Sequence, residues 1–313
     1  MTGAQISVLA DGRRLHMNHG PIDLIVEAFG AEAERRAAHA QAAARFRTIL
    51  DELVAELPEL RRPCDPAAPR AFAGATARRM EAACRPLADV FVTPMAAVAG
   101  SVADEVLAAM TAGRALARAY VNDGGDIALH LAPGQALRLA IAGTGHGFAD
   151  RVEIDAASAV RGVATSGWRG RSFSLGIADA VTVLARSGAA ADAAATIIAN
   201  AVDLPGHPEV ARKPANELAP DSDLGGRPVT VAVGSLADAE IEEALRGGLA
   251  VAEDLRCKGL IEAAALFLAR KCRIAGAFLP LTGAGAGRGP LEGANRSRAG
   301  ISTRPGRFAA ALA

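Results

Sequence analysis

A chain of 313 residues with 51% hydrophobic and 22% charged side chains has apolar material for a full globular core, as one large or two medium domains. Basic and acidic side chains balance at 34 each, so no global field draws the chain to nucleic acid or to an acidic membrane, and 4% aromatics argue against a base-stacking platform. Four cysteines without a CxxC spacing (Cys64, Cys84, Cys257 and Cys272) offer neither a zinc motif nor a disulfide framework, and fit a reducing compartment.

The opening MTGAQISVLADGRRLHMNHG has no basic start followed by an apolar run, and no stretch reaches the roughly 18–20 apolar residues of a membrane helix. A cytoplasmic protein is expected. QISVLADGRRLHMNHGPIDLIVEAFG alternates short apolar runs with Asp-Gly and His-Gly-Pro breaks, which reads as strands joined by turns. From 31 to about 61 the period becomes helical, with Phe46, Ile49, Leu50, Leu53 and Leu57 on one stripe. GATARRMEAACRPLADV and SVADEVLAAMTAG read as two more helices, the second with Ser101 as N-cap and Gly113 as its stop.

The middle of the chain reads as strands: RALARAYVN, DIALHLA, QALRLAIAG, RGVATSG and ADAVTVLA. An alanine-rich helix over 189–201 follows, then a polar loop with Pro205, Pro208 and Pro214, and the strand PVTVAVG. LADAEIEEALRGGLAVAEDL is an amphipathic helix, and LIEAAALFLARKCRIAG is read as a closing strand. After about Gly276 the chain turns Gly-rich and aperiodic, with five arginines against one glutamate, the composition of a disordered tail. The class is α+β, and the two β-then-helix blocks before and after about residue 113 suit a duplicated unit.

Inside the alanine helix stand a lone carboxylate, Asp192, and a lone hydroxyl, Thr196, one turn apart on the same face. Two such oxygens could hold a hard cation; they could equally be an N-cap and an exposed threonine. In YVNDGGDIALHL, residues 122–126 read as a tight hairpin turn, or as a backbone stripped for close approach by a flat or anionic ligand. VATSGWRGRS sets Thr165, Ser166 and Gly167 before Trp168, Arg169 and Arg171. These hydroxyls and guanidiniums could grip a phosphate or carboxylate, or form a polar turn with solvated arginines. GTGHGF at 143–148 lacks either nucleotide-binding spacing, and the six histidines show no metal-ligand spacing.

Taken in order, VTPMAAVAGSVADEV (92–106), YVNDGGDIALHL (120–131) and the stretch from GVATSG to ATIIANAV (162–202) resemble the ApbE superfamily, most closely its uncharacterised ApbE-like branch. DSDLGGRPVTVAVGSL also looks like that branch, and the resemblance spans roughly residues 5–276. It implies a duplicated T-fold-type α+β architecture, with mixed or antiparallel sheets and helices packed on one face of each. One domain would cover 1–276, in halves of about 1–113 and 114–276, leaving 277–313 as the tail.

The better-known relatives, FAD:protein FMN transferases, use Mg²⁺ to split FAD and attach FMN to a Thr or Ser of a target protein. By that resemblance Asp192 and Thr196 would hold Mg²⁺. Gly100, Asp104, Asn122, Gly124, Gly125, Asp126, Thr165, Ser166 and Gly167 would surround the flavin nucleotide, while Asp192, Arg171 and Ser166 would act on its phosphates. The implied cofactors are Mg²⁺ and FAD, and the implied partners are a small phosphorylated ligand and an acceptor protein. A homodimer would cover the sheet edges.

The chain also departs from the transferases. They carry Lys-Gly where it has Ala99-Gly100, and a His-Ile-x-Asp-Pro-x-Thr-Gly stretch where it has RSFSLGIAD. The ApbE-like branch usually has a His where Arg171 stands; Arg171 can grip a phosphate but cannot act as a base, because it does not deprotonate. Two expectations follow: a Mg²⁺-dependent FMN transferase or FAD pyrophosphatase, or a non-catalytic ligand-binding or auxiliary protein, which the branch ties loosely to sulfur metabolism.

Overall fold

The computed structural model describes residues 3–140 and 151–277. Its first block is a meander of β1 (Gln5–Val8), β2 (Leu15–His19) and β3 (Ile22–Gly30), followed by α1 (Glu32–Ala55) and a single helical turn, α2 (Leu57–Leu60). The one helix expected over 31–61 is thus broken at Glu56, because Pro58 lacks an N–H and its ring crowds the carbonyl four residues back. Next comes α3 (Ala75–Cys84), which passes into a 3₁₀ turn, Arg85–Leu87, at Pro86.

A second 3₁₀ turn, Pro94–Ala97, leads straight into α4 (Val98–Thr111). Here the expected N-cap is corrected: Ser101 is buried inside α4, which has no side-chain cap, and Thr93 caps the preceding 3₁₀ turn by accepting the Met95 N–H. The helical path begins earlier than the apolar pattern suggests because Pro94 is already set at a helical φ. The expected stop is present, with Gly113 at φ +67°.

The second block contains β4 (Leu116–Asp123), β5 (Asp126–Leu131), β6 (Ala136–Ala140), β7 (Arg151–Asp155), β8 (Gly162–Ser166) and β9 (Ala180–Ala185). It continues with α5 (Gly188–Ala201), β10 (Val210–Pro214), α6 (Ala215–Leu218), β11 (Pro228–Val233), α7 (Asp238–Cys257), β12 (Ala263–Leu268) and β13 (Lys271–Ala275). Nine strands form one sheet in the order β1-β2-β3-β4-β5-β8-β9-β12-β13, while β6–β7 and β10–β11 are separate two-stranded ribbons. Every pairing is antiparallel. The fold is α+β with open sheets, as the sequence predicts.

The helices lie on one face of this sheet, and period-2 alternation supplies their core. One cluster joins Met17, Leu24, Val26 and Val121 to Phe46, Ile49 and Val106; a second joins Val181, Val183 and Leu266 to Ala191, Ile198 and Leu245. The other face carries Leu129, Val163 and Leu184, covered by Val152 and Ile154 of the β6–β7 ribbon.

Three expectations are revised. The closing segment is a hairpin, β12–β13, turned at Ala269 and Arg270 with φ of +47° and +69°. Neither residue signals such a turn; the Asp179 carboxylate holds it by accepting the Ala269 N–H at 2.7 Å. The polar loop after α5 contains β10, whose half-exposed pattern gave no apolar signal, and β7 was likewise not expected. GTGHGF, the last part of QALRLAIAG and the tail beyond 277 lie outside the described residues. No helix among the described residues is long and apolar enough to cross a membrane.

Candidate functional site

The alanine helix α5 owes its place to what its residues lack. Small side chains let its backbone meet that of α4, so a Cβ on Gly100 would fall 2.2 Å from the Gly188 carbonyl oxygen. Ser187 caps α5 by accepting the Ala190 N–H at 3.2 Å, which overturns the reading of Asp192 as a cap. Asp104 on α4 adds to that cap, its two oxygens accepting the Gly188 and Ala189 N–H groups, each at 2.9 Å.

Asp192, half-buried in the second turn of α5, accepts the Gly100 N–H at 2.9 Å across the same helix contact. Thr196 follows one turn on, also half-buried. The stripe runs one turn further than the sequence reading carried it. Asn200 accepts the Leu175 N–H at 2.9 Å and the Ser174 hydroxyl at 3.3 Å, pinning the loop that follows Arg171. The i, i+4, i+8 spacing of Asp192, Thr196 and Asn200 is the signal that could have found it.

The other wall is the β4–β5 turn. Asp123 and Asp126 face each other in register at the end of the ladder, with Gly124 and Gly125 between them at φ +62° and +119°. The Asn122 side-chain oxygen accepts the Gly125 N–H at 2.8 Å and closes the turn. Alternation from Val121 and Ala128 turns both carboxylates toward the helix side. Asp126 accepts the Thr165 N–H at 3.1 Å, which ties the turn to β8. Asp123, missed by the sequence reading, is the most enclosed of these acids, at 4% exposure.

Three carboxylates therefore share one field. Burial, then repulsion from Asp126, pushes Asp123 up to about 8. Burial raises Asp126 to about 7 against the opposing Thr165 hydrogen bond and the Arg171 charge. Asp192 is driven well above the usual carboxylate range by burial and then by Asp126, with the Gly100 N–H working the other way.

The facing cation is Arg171. Its guanidinium lies over the turn, where a Cβ on Gly124 would come within 1.6 Å of its nitrogen, and Nη2 stands 3.9 Å from Asp123 Oδ1. Arg169 is not part of this group: it pairs with Asp179 at 2.7 Å and lies over the Trp168 ring. The Thr165 hydroxyl meets Thr182 at 2.9 Å, on the sheet face away from the helices, so Thr165 reaches Asp126 through its backbone alone. Ser166 ends β8, half-buried, and alternation from Ala164 puts it on the helix side, while Gly167 is buried beside it.

A Mg²⁺ ion can be tested against this donor set. Among the described residues there is no group of three or more His, Cys, Asp or Glu side chains placed to hold a metal. Mg²⁺ is commonly held by one or two carboxylates, with waters and substrate phosphates completing its shell. Asp192 and Thr196 fit such a shared site and do not make an all-protein cage. Burial is the first cause of the raised proton affinity of all three acids, and a cation beside them would favour their charged forms.

A family model described as "AbpE bacteria" matches residues 6–274. The chain belongs to this family. The match runs from β1 nearly to the end of β13 and includes every residue of the site. Among curated relatives, UPF0280 protein MK0206 of Methanopyrus kandleri is 32% identical over 199 residues, 64% of this chain and 78% of that protein. The UPF0280 protein of Methanothrix thermoacetophila is 42% identical over 113 residues, covering 36% of this chain and 46% of that protein. UPF0280 protein MJ1526 of Methanocaldococcus jannaschii is 41% identical over 115 residues, covering 35% and 45%. The AbpE assignment thus rests on nearly the whole described fold, and the identity to the last two relatives is concentrated in about a third of it.

Proposed function

We propose that this AbpE-family chain binds a small phosphorylated ligand, a flavin nucleotide first among candidates, through a divalent cation at Asp192 and Thr196. The observation that carries the reading is the facing pair Asp123 and Asp126 under the Arg171 guanidinium, in one electrostatic field with Asp192, which the Gly100 N–H holds on α5. In their ionised forms these acids would repel a phosphate on their own. A cation between them and the phosphate reverses that sign, and Arg171 supplies a second positive contact.

In this reading Asp192 and Thr196 hold the ion, and the Gly100 N–H fixes the Asp192 carboxylate in place. Arg171, over Gly124, orients the phosphates, and the open side of Gly125 leaves room for a flat ring. Mg²⁺, when bound, supplies charge neutralisation at a pyrophosphate. Asp126, at about 7, is the group best tuned to take a proton near neutral pH. Cleavage or transfer of FMN from FAD is the catalytic form of the proposal.

The non-catalytic form is favoured by one observation: Arg171, the cation over the turn, cannot exchange a proton. Calorimetric titration with FAD, FMN and AMP, in EDTA and in Mg²⁺, tests binding. Binding that needs Mg²⁺ and weakens at least tenfold in Asp192→Ala supports the reading; no binding of any of the three refutes it. AMP release from FAD then separates the catalytic form from the binding module.

A further inference from the structure

Two cysteines twenty residues apart in sequence share one core cluster behind this site. Cys64, in the loop after α2, is half-buried, and its backbone N–H donates to the Val92 carbonyl at 2.8 Å. Cys84, the last residue of α3, is fully buried, with its thiol 3.8 Å from the Pro94 carbonyl oxygen. Both residues are thus fastened to the short segment that leads into α4. Cys64 packs against the core cluster that contains Cys84, and its sulfur lies against the Glu81 side chain, one helical turn before Cys84 on α3. The same cluster holds Ala191 and Ala193, the neighbours of Asp192.

The surroundings of Cys64 are polar and ordered. Its thiol donates to Glu81 Oε2 at 3.6 Å, and Arg70 Nη2 lies 3.7 Å from its sulfur. Arg70 and Glu81 are themselves paired at 2.7 Å, and the Glu81 side chain is 5% exposed. A buried carboxylate is therefore in place to take the thiol proton, and a guanidinium faces the sulfur that would be left negative. Among the described residues no group of three or more His, Cys, Asp or Glu side chains is placed to hold a metal.

We propose that Cys64 and Cys84 are an oxidisable dithiol, in which half-buried Cys64 is the attacking sulfur and buried Cys84 resolves it into an intramolecular disulfide. The oxidant is a hydroperoxide. The Cys64 proton passes to Glu81 and the thiolate attacks the nearer peroxide oxygen, giving a Cys64 sulfenic acid and an alkoxide or hydroxide, which takes up that proton. The Cys84 sulfur then attacks the Cys64 sulfur, the S–S bond forms and water leaves, carrying the Cys84 proton. The dithiol loses two electrons and two protons, and the peroxide is reduced by the same two electrons. A thiol reductant reverses the change. The inference does not depend on what the neighbouring site binds.

The test uses the full chain with Cys257→Ser and Cys272→Ser, so that Cys64 and Cys84 are its remaining thiols. After hydrogen peroxide, alkylation and proteolysis, the expected product is a peptide pair linked through residues 64 and 84. It is lighter by two hydrogens than the separate peptides, and dithiothreitol restores both thiols. In Cys84→Ala the reaction stops at a Cys64 sulfenic acid that dimedone traps, and Glu81→Gln slows its formation about tenfold or more. Thermal melts confirm that each variant is folded; Cys84→Ser replaces Cys84→Ala if the latter is not. Both thiols still titratable after peroxide, cross-links only between chains, or first trapping at Cys84 in place of Cys64 would overturn the proposal.

Discussion

The Asp104 carboxylate on α4 accepts the Gly188 and Ala189 N–H groups at the start of α5, each at 2.9 Å, so one side chain locks the two helices that frame the site. Those two donors have no partner within α5, and burial makes their loss costly. Asp104→Ala is expected to lower stability by about 1–3 kcal/mol in urea unfolding. Asp104→Asn, which keeps one acceptor, should recover part of this loss. A change within error for the alanine variant would show that Ser187 suffices as the cap.

The close helix contact gives a second prediction. A methyl at residue 100 meets the Gly188 carbonyl at 2.2 Å, a backbone atom that cannot turn aside. Gly100→Ala should therefore destabilise by about 1–3 kcal/mol, although alanine is the better helix former. A denaturation midpoint equal to or above that of the parent chain would contradict this contact.

The acids give a pH dependence of definite sign. Asp123 and Asp126 bind their protons more tightly in the folded protein, at about 8 and about 7, than in the unfolded chain, where Asp titrates near about 3.9. Their contribution to stability is complete below about pH 4 and is lost as pH rises through 7 to 8. In EDTA, the melting temperature of Asp123→Asn should gain on the parent steadily from pH 5 to pH 8.5. Parallel profiles for the two proteins would show that the burial of Asp123 is relieved in solution.

Arg171 lowers the proton affinity of both Asp123 and Asp126. Arg171→Gln should therefore move the falling limb of the melting profile to lower stability at pH 8 and leave pH 5 nearly unchanged. An equal loss at both pH values would mean that Arg171 acts through packing and not through charge.

Asn200 holds the Leu175 N–H and the Ser174 hydroxyl. Asn200→Ala should cost about 1 kcal/mol and speed amide exchange at Leu175. Unchanged exchange at that amide would remove Asn200 from the framework of the site.

Much of this architecture was legible in the sequence. Apolar periodicity located β2–β5, α1, α4, α5 and α7, and the isolated polar pair in an alanine run located Asp192 and Thr196. Elements held by contacts distant in sequence were not legible. The Ala269–Arg270 turn depends on Asp179, some 90 residues earlier, and the position of Arg169 depends on that same carboxylate. Asp123 looked like a turn residue because the sequence shows Asn-Asp-Gly-Gly and not the direction of its side chain. Cys64 and Cys84 show no motif spacing; the loop between α2 and α3 folds back and sets Cys64 against Glu81 of α3, on the cluster that holds Cys84.

The sheet order has one further consequence. Its neighbours follow the chain except at two jumps, β5 to β8 and β9 to β12, and both two-stranded ribbons lie within those jumps. The Arg118 side chain of β4 reaches Ala136 of β6 at 3.1 Å, but among the described residues no strand of the main ladder pairs with either ribbon. Each is an excursion whose length can drift without unzipping the scaffold, which makes the ribbons the natural places for relatives to diverge and for an engineer to graft a tag or a sensor.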